Sequence, residues 1–325
     1  MSDVTRRGLI GGATLLALAG GGVGGAADAQ TVAGDEVVPL WPGAIPGTPA
    51  TPIVRKVNDR GKTPGTHDRA VSGIDVPALV VKRPVRPNGA AVLLVPGGGY
   101  SIVSYDNEGL EQARWLNALG VTCFILLYRL PGEGWGERRL VPLQDAQRAM
   151  RLIRARATRF GVDPARVAVL GFSAGGHLAG SLATRFAEPV YAAVDAADRL
   201  SARPDLAGLI YPVISMDPAI THKGSHDNLL GGAPSQADVD AASVDKKVTA
   251  ETPPVFLAHA SDDRTVPVAN SLSLYAALLA AKRPAEMHLF DEGGHGFGVR
   301  LPTTVPAAAW PTLFAAYARR KGVFG

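Results

Sequence analysis

The stretch Gly171-Phe172-Ser173-Ala174-Gly175-Gly176-His177 constrains this chain more than any other. It follows directly on an apolar run at 167–170 and precedes a helix-like stretch at 174–187. A G-x-S-x-G pattern in that setting is a tight strand-to-helix turn: its glycines let the two backbones approach, and its serine stands at the tip. Such a turn belongs at the carboxyl end of a parallel strand, so the rest of the chain must supply a parallel sheet.

Beyond Gly89 it does. Short apolar runs at 91–95, 121–127, 167–170, 206–210, 255–259 and 287–290 have the length of buried strands. Helix-like stretches at 108–119, 142–160, 174–187, 268–281 and 307–320 separate or follow them, with Gly120 and Gly161 where helix C-caps belong. This alternation predicts an α/β fold with a mostly parallel, doubly wound sheet flanked by helices. Ahead of it, 71–75 and 78–82 are expected as antiparallel strands that open the sheet, and the Pro- and Gly-rich stretch 30–66 as an extended arm. Residues 212–254, after the fourth parallel strand, break the rhythm, and a connection of that length is expected to form a partly helical cap beside the site.

The N-terminus carries an address rather than a fold. Thr5-Arg6-Arg7-Gly8-Leu9-Ile10 is followed by a weakly apolar, Gly- and Ala-rich run and then Ala27-Asp28-Ala29, the small-x-small pattern of a cleavage site. Residues 1–29 are therefore expected to be a twin-arginine-type export signal, with residues 30–325 forming one periplasmic or secreted domain and no stable membrane anchor after cleavage. The segment holds Arg6 and Arg7 against Asp3 and Asp28, so its removal leaves the net charge of +4 unchanged. That charge is spread along the chain, not gathered into the stripe that nucleic acid requires. With Cys123 as the single cysteine, neither an internal disulfide nor a cysteine metal cluster can form.

A serine hydroxyl is a weak nucleophile near neutral pH and needs a base within hydrogen-bond reach. Seven histidines are available, and His295 is the candidate: Gly293-Gly294-His295-Gly296-Phe297-Gly298 is a flexible loop directly after the last predicted strand. His177 lies too near Ser173 in the same helix. His259 and His288 fall within apparent strands, and His67, His222 and His226 precede the expected carboxylate, the last two being able at most to line a pocket. The base needs a carboxylate to fix its tautomer. Ser261-Asp262-Asp263-Arg264-Thr265-Val266-Pro267 offers Asp263, spaced from Val266-Pro267 as in x-x-D-x-x-V-P, with Asp262 as the alternative. Pro96-Gly97-Gly98-Gly99-Tyr100 follows the strand at 91–95 and can turn backbone amides toward a developing oxyanion, so Gly98, Gly99 and Ala174 are assigned as the oxyanion hole. The absence of a G-K-[ST] ending disfavours phosphate binding. No cofactor or metal is required.

Together Leu40-Trp41-Pro42-Gly43, Pro96 to Tyr100, Tyr128-Arg129-Leu130, the elbow, Tyr211-Pro212-Val213-Ile214-Ser215-Met216-Asp217-Pro218 and the Asp263 and His295 loops resemble the carbohydrate-esterase-like α/β-hydrolases, the bacterial acetyl-xylan and feruloyl esterase-like group. The resemblance implies the α/β-hydrolase fold and a serine esterase acting on a small-molecule or oligosaccharide ester, acyl groups on sugars above all. A peptidase of prolyl-peptidase-like type shares the elbow and the residue order, and a non-catalytic binding protein on the same scaffold is a further alternative. Tyr100, Tyr105 and Trp135 are candidates for stacking on sugars, with ordinary packing as the competing role. Acyl and alcohol specificity and oligomeric state stay open.

Overall fold

A computed structural model describes residues 35–325, so the expected export signal at 1–29 lies outside the described residues. The strands are β1 (Glu36–Pro39), β2 (Lys56–Asp59), β3 (Arg69–Ser72), β4 (Ala78–Lys82), β5 (Ala91–Val95), β6 (Val103–Ser104), β7 (Thr122–Leu127), β8 (Val167–Phe172), β9 (Leu206–Ile210), β10 (Val255–Ala260) and β11 (Ala285–Phe290). The helices are α1 (Glu111–Ala118), α2 (Val141–Ala155), α3 (Ala157–Phe160), α4 (Ser173–Arg185), α5 (Lys223–Leu230), α6 (Gln236–Ala242), α7 (Ala269–Ala280) and α8 (Trp310–Arg320).

Eight strands form the main sheet in the order β1-β4-β7-β5-β8-β9-β10-β11. All neighbours from β7 to β11 run parallel, whereas β1 and β4 are antiparallel. Strands such as Ala-Val-Leu-Leu-Val of β5 are buried along their whole length, the pattern of a sheet covered on both faces. The chain leaves β5 for β7 on one side and crosses by α2 to β8 on the other. Between the carboxyl ends of β5 and β8 the winding therefore reverses, and that crevice is where open α/β sheets hold ligands. The Gly97–Gly99 loop leaves one of those strands and Ser173 the other. This is the α/β-hydrolase fold.

Two features differ from the expectations. Within the presumed arm, Glu36–Pro39 joins the main sheet by pairing with β4, because Val38, Leu40 and Trp41 have buried positions to fill there. The segment expected at 71–75 is shifted to Arg69–Ser72 and pairs with β2 and β6 in a separate three-stranded sheet rather than opening the main one. At Trp41 the arm is anchored by a buried ion pair. Asp145 accepts from the Trp41 indole at 2.9 Å and from the Arg129 guanidinium at 2.8 Å, and both charged side chains are fully buried.

Residues 212–254 carry α5, α6 and a short 3-10 turn at Val244–Lys247. His222 caps α5, and Ser235 with Asp238 forms a capping box on α6, which explains why a polar stretch without a strong apolar period is helical. Gly120 and Gly161 adopt φ of 80° and 68°, as helix-ending glycines do. Among the described residues no helix is long and apolar enough to cross a membrane.

Candidate active site

Ser173 takes φ 52°, an unfavourable conformation for a residue with a side chain, held by the turn between β8 and α4. A Cβ on Gly175 would fall 2.2 Å from the Val95 carbonyl oxygen. Only glycine allows the first turn of α4 to rest on the end of β5, and this contact brings Ser173 beside the Gly97–Gly99 loop.

His295 Nε2 lies 2.9 Å from Ser173 Oγ, and His295 Nδ1 lies 2.6 Å from Asp263 Oδ2. An ionised carboxylate only accepts, so Nδ1 carries the proton and the Nε2 lone pair faces the serine hydroxyl. Asp263 Oδ1 accepts from the amides of Thr265 and Val266 at 2.8 and 2.9 Å, and Oδ2 lies 3.3 Å from His259 Nε2. Burial alone would raise the Asp263 pKa; the hydrogen bonds from His259 and His295 outweigh it and hold the carboxyl well below the usual carboxylate range. The neighbouring Asp262 does something else: its Oδ1 accepts from the Gly294 amide at 2.8 Å and so fastens the loop that carries His295.

The glycine loop is oriented through its carbonyls. Those of Pro96, Gly97, Gly98 and Gly99 accept respectively from the Tyr128 hydroxyl, the Ser104 amide, the amides of Ser101 and Ile102, and the Asn228 side chain. In a trans peptide the N–H points opposite to the C=O, so the amides of Gly98 and Gly99 are turned away from these partners. Among the described residues the amides of Gly98, Gly99 and Ala174 donate to nothing. At Gly98, with φ 125°, a Cβ would strike the Ile102 carbonyl oxygen at 2.3 Å. Gly98, Gly99, Ser173 and His295 line one cavity of about 510 Å³, whose other walls include Arg60, Asp68 and Thr265. This geometry can take a proton from a serine hydroxyl beside free amide donors.

Five of the remaining histidines are engaged elsewhere. His177 accepts from the Tyr100 hydroxyl at Nδ1 and donates from Nε2 to the Ala242 carbonyl, both at 2.7 Å, and burial lowers its pKa to about 4. His259 is buried between Ser271 and Val266, His288 pairs with Glu286, His67 with Asp59 and His226 with Asp227. His222 lines the cavity. Tyr100, Tyr105 and Trp135 are all buried, so none is available to stack on a sugar; Tyr105 lies under Arg69 and Trp135 under Arg129.

Three supporting residues were missed from sequence. Buried Glu108 accepts from the Gly97 amide at 2.7 Å and from the Tyr211 hydroxyl at 3.0 Å, and that hydroxyl accepts from the Gly298 amide at 3.0 Å. One carboxylate thus ties the glycine loop to the histidine loop, while Asn107 donates to the Gly296 carbonyl at 2.8 Å. Glu108 and Asn107 sit on a π-turn, Asp106–Leu110, a form often found at functional sites. Its helical period resembles that of α1, so nothing in the sequence marks it. Tyr211 did carry a signal: it directly follows β9, at the carboxyl edge of the sheet. Burial raises the Glu108 pKa, yet the ionised form is the one that satisfies both donors. Glu108→Gln puts an amide donor against one of them, and kcat for p-nitrophenyl acetate is expected to fall about 10- to 100-fold with KM nearly unchanged. An unaltered kcat would show that the bridge does not position the loops.

Among the described residues no group of His, Cys, Asp and Glu side chains is arranged to hold a metal ion. Comparison with known proteins agrees with the fold. Residues 86–278 match the family described as BD-FAE. An acetylxylan esterase of Xylanibacter ruminicola is 36% identical over 224 residues, covering 68% of this chain and 43% of the relative. An endo-1,4-beta-xylanase B of Butyrivibrio fibrisolvens is 35% identical over 208 residues, covering 64% and 32%. The chain thus spans less than half the length of these curated relatives. The crystal structure of an acetyl ester-xyloside bifunctional hydrolase from Caldicellulosiruptor lactoaceticus superposes with a TM-score of 0.73 at 34% identity, covering 89% of this chain and 97% of that one. The match over most of the sheet and the elbow places the chain in the BD-FAE family of α/β-hydrolases.

Proposed function

We propose that this protein is a carboxylic ester hydrolase that removes acyl groups from sugars, acetylated xylan fragments above all. Ser173 Oγ attacks the ester carbonyl as His295 Nε2 takes its proton, and Asp263 stabilises the imidazolium that forms. The amides of Gly98, Gly99 and Ala174 receive the oxyanion. His295 then gives its proton to the leaving alcohol, and water activated by the same imidazole releases the acid from the acyl-enzyme. The observation that carries this reading is the Ser173–His295–Asp263 hydrogen-bond chain, at 2.9 and 2.6 Å, beside free backbone amides in one cavity.

The sugar ester is supported by two further facts. Relatives with the same fold are named as acetylxylan and acetyl ester-xyloside enzymes. Arg60, Asp68, Ser104 and Thr265 give the cavity a polar wall, which suits a polyol better than a long alkyl chain. The test is a panel of acetyl, butyryl and feruloyl esters on xylo-oligosaccharides and simple alcohols, with a proline p-nitroanilide alongside. The highest kcat/KM is expected for acetylated xylo-oligosaccharides. Preference for the anilide would overturn the esterase reading, and preference for butyryl esters of simple alcohols would overturn the sugar ester.

A further inference from the structure

His222 has one ring nitrogen committed to the fold and the other uncommitted. It stands at the N-cap of α5, where Nδ1 lies 3.2 Å from the Ser225 amide and 2.9 Å from Ser225 Oγ. A backbone N–H can only donate, so Nδ1 is an acceptor and the proton of the neutral ring is on Nε2. Burial, with a smaller contribution from His295, lowers the His222 pKa and favours that neutral ring. Among the described residues Nε2 meets no hydrogen-bond partner.

The ring is also held in place. Its Cε1 lies 3.7 Å from where a Cβ on Gly99 would be, so the ring rests against the glycine loop and faces the cavity shared with Ser173 and His295. The same helix is fastened to that loop by Asn228, whose side chain donates to the Gly99 carbonyl at 2.8 Å. Arg138 in turn donates to the Asn228 carbonyl at 2.8 Å. A fixed neutral donor at the edge of the reaction cavity recognises an acceptor oxygen at little cost in ordering.

We propose that His222 is a specificity-determining residue whose Nε2–H donates to an oxygen of the sugar portion of the substrate, next to the ester under attack. This rests on the sugar-esterase reading above. It assigns to the insert at 212–254 a direct part in choosing the substrate.

The competing role is that His222 only caps α5, and His222→Asn separates the two. Asparagine is a good N-cap and keeps an acceptor for the Ser225 amide, but it is too short to present a donor at the Nε2 position. His222→Ser, also a good cap, is the second variant should the first fail to fold. The measurement is kcat/KM for an acetylated xylo-oligosaccharide and for p-nitrophenyl acetate, with Tm recorded for each protein. The ratio of the two is expected to fall about 5- to 10-fold, the loss of one neutral hydrogen bond, with Tm retained. An unchanged ratio, with or without a lower Tm, overturns the proposal and leaves His222 a cap. If the wild-type protein hydrolyses neither ester, the esterase reading itself fails; if it hydrolyses both and the ratio holds, only the role of His222 does.

Discussion

Ser173→Ala is expected to lower kcat for p-nitrophenyl acetate by about a million-fold, the scale on which removing the nucleophile of a serine enzyme disables the whole triad. The protein should remain folded. Alanine tolerates φ 52° no worse than serine does, and the substitution removes one hydrogen bond, to His295, at a partly exposed edge of the site. Stability should change by about 1 kcal/mol or less. Steady-state hydrolysis and a thermal melt on the same preparation check both halves. Residual activity within tenfold of wild type would remove Ser173 from the mechanism.

Asp263→Asn is expected to lower kcat about 10,000-fold, and the local hydrogen bonds dictate why. The amides of Thr265 and Val266 both donate to Oδ1, so the asparagine oxygen must occupy that side. Its NH₂ then faces His295 Nδ1 where the carboxylate accepted. Donor against donor drives the imidazole proton to Nε2, which can no longer take the serine proton. His259 loses little, because its Nε2 keeps the Val266 carbonyl at 3.0 Å. Asp262→Asn, in contrast, retains an oxygen for the Gly294 amide, so its kcat should stay within about threefold. Kinetics of the two variants side by side decide between the adjacent aspartates; a larger loss in the Asp262 variant would reverse the assignment.

The depressed Asp263 pKa also carries a sign. A carboxyl whose pKa is lower folded than unfolded contributes stability above its unfolded value of about 3.9, and that contribution is lost as pH falls toward the folded value. Asp263→Asn should therefore flatten the fall in stability on acidification.

What the sequence revealed divides along a physical line. Ser173, the Asp263 turn and the His295 loop were legible because each is a local pattern fixed by its own flanking strand, and the chain order of the three belongs to the fold. The parallel strands were legible because continuous apolar runs of their length admit little else. β1 was not: four residues ahead of Leu40-Trp41-Pro42-Gly43 have no period, and only pairing with β4 makes them a strand. Glu108 was not, because its role exists only where Gly97, Tyr211 and Gly298 converge from distant parts of the chain. Tyr100, Tyr105 and Trp135 resembled sugar platforms because the sequence gives no sign of which way an aromatic side chain points; the core has claimed all three.

The most direct test of the account is covalent. Incubation with diethyl p-nitrophenyl phosphate, followed by intact-mass and peptide analysis, is predicted to leave one diethylphosphoryl group on the peptide that contains Ser173, with activity lost in proportion to labelling. The Ser173→Ala protein should take up none. Full inactivation without an adduct at Ser173, or stoichiometric labelling of another residue, would contradict it.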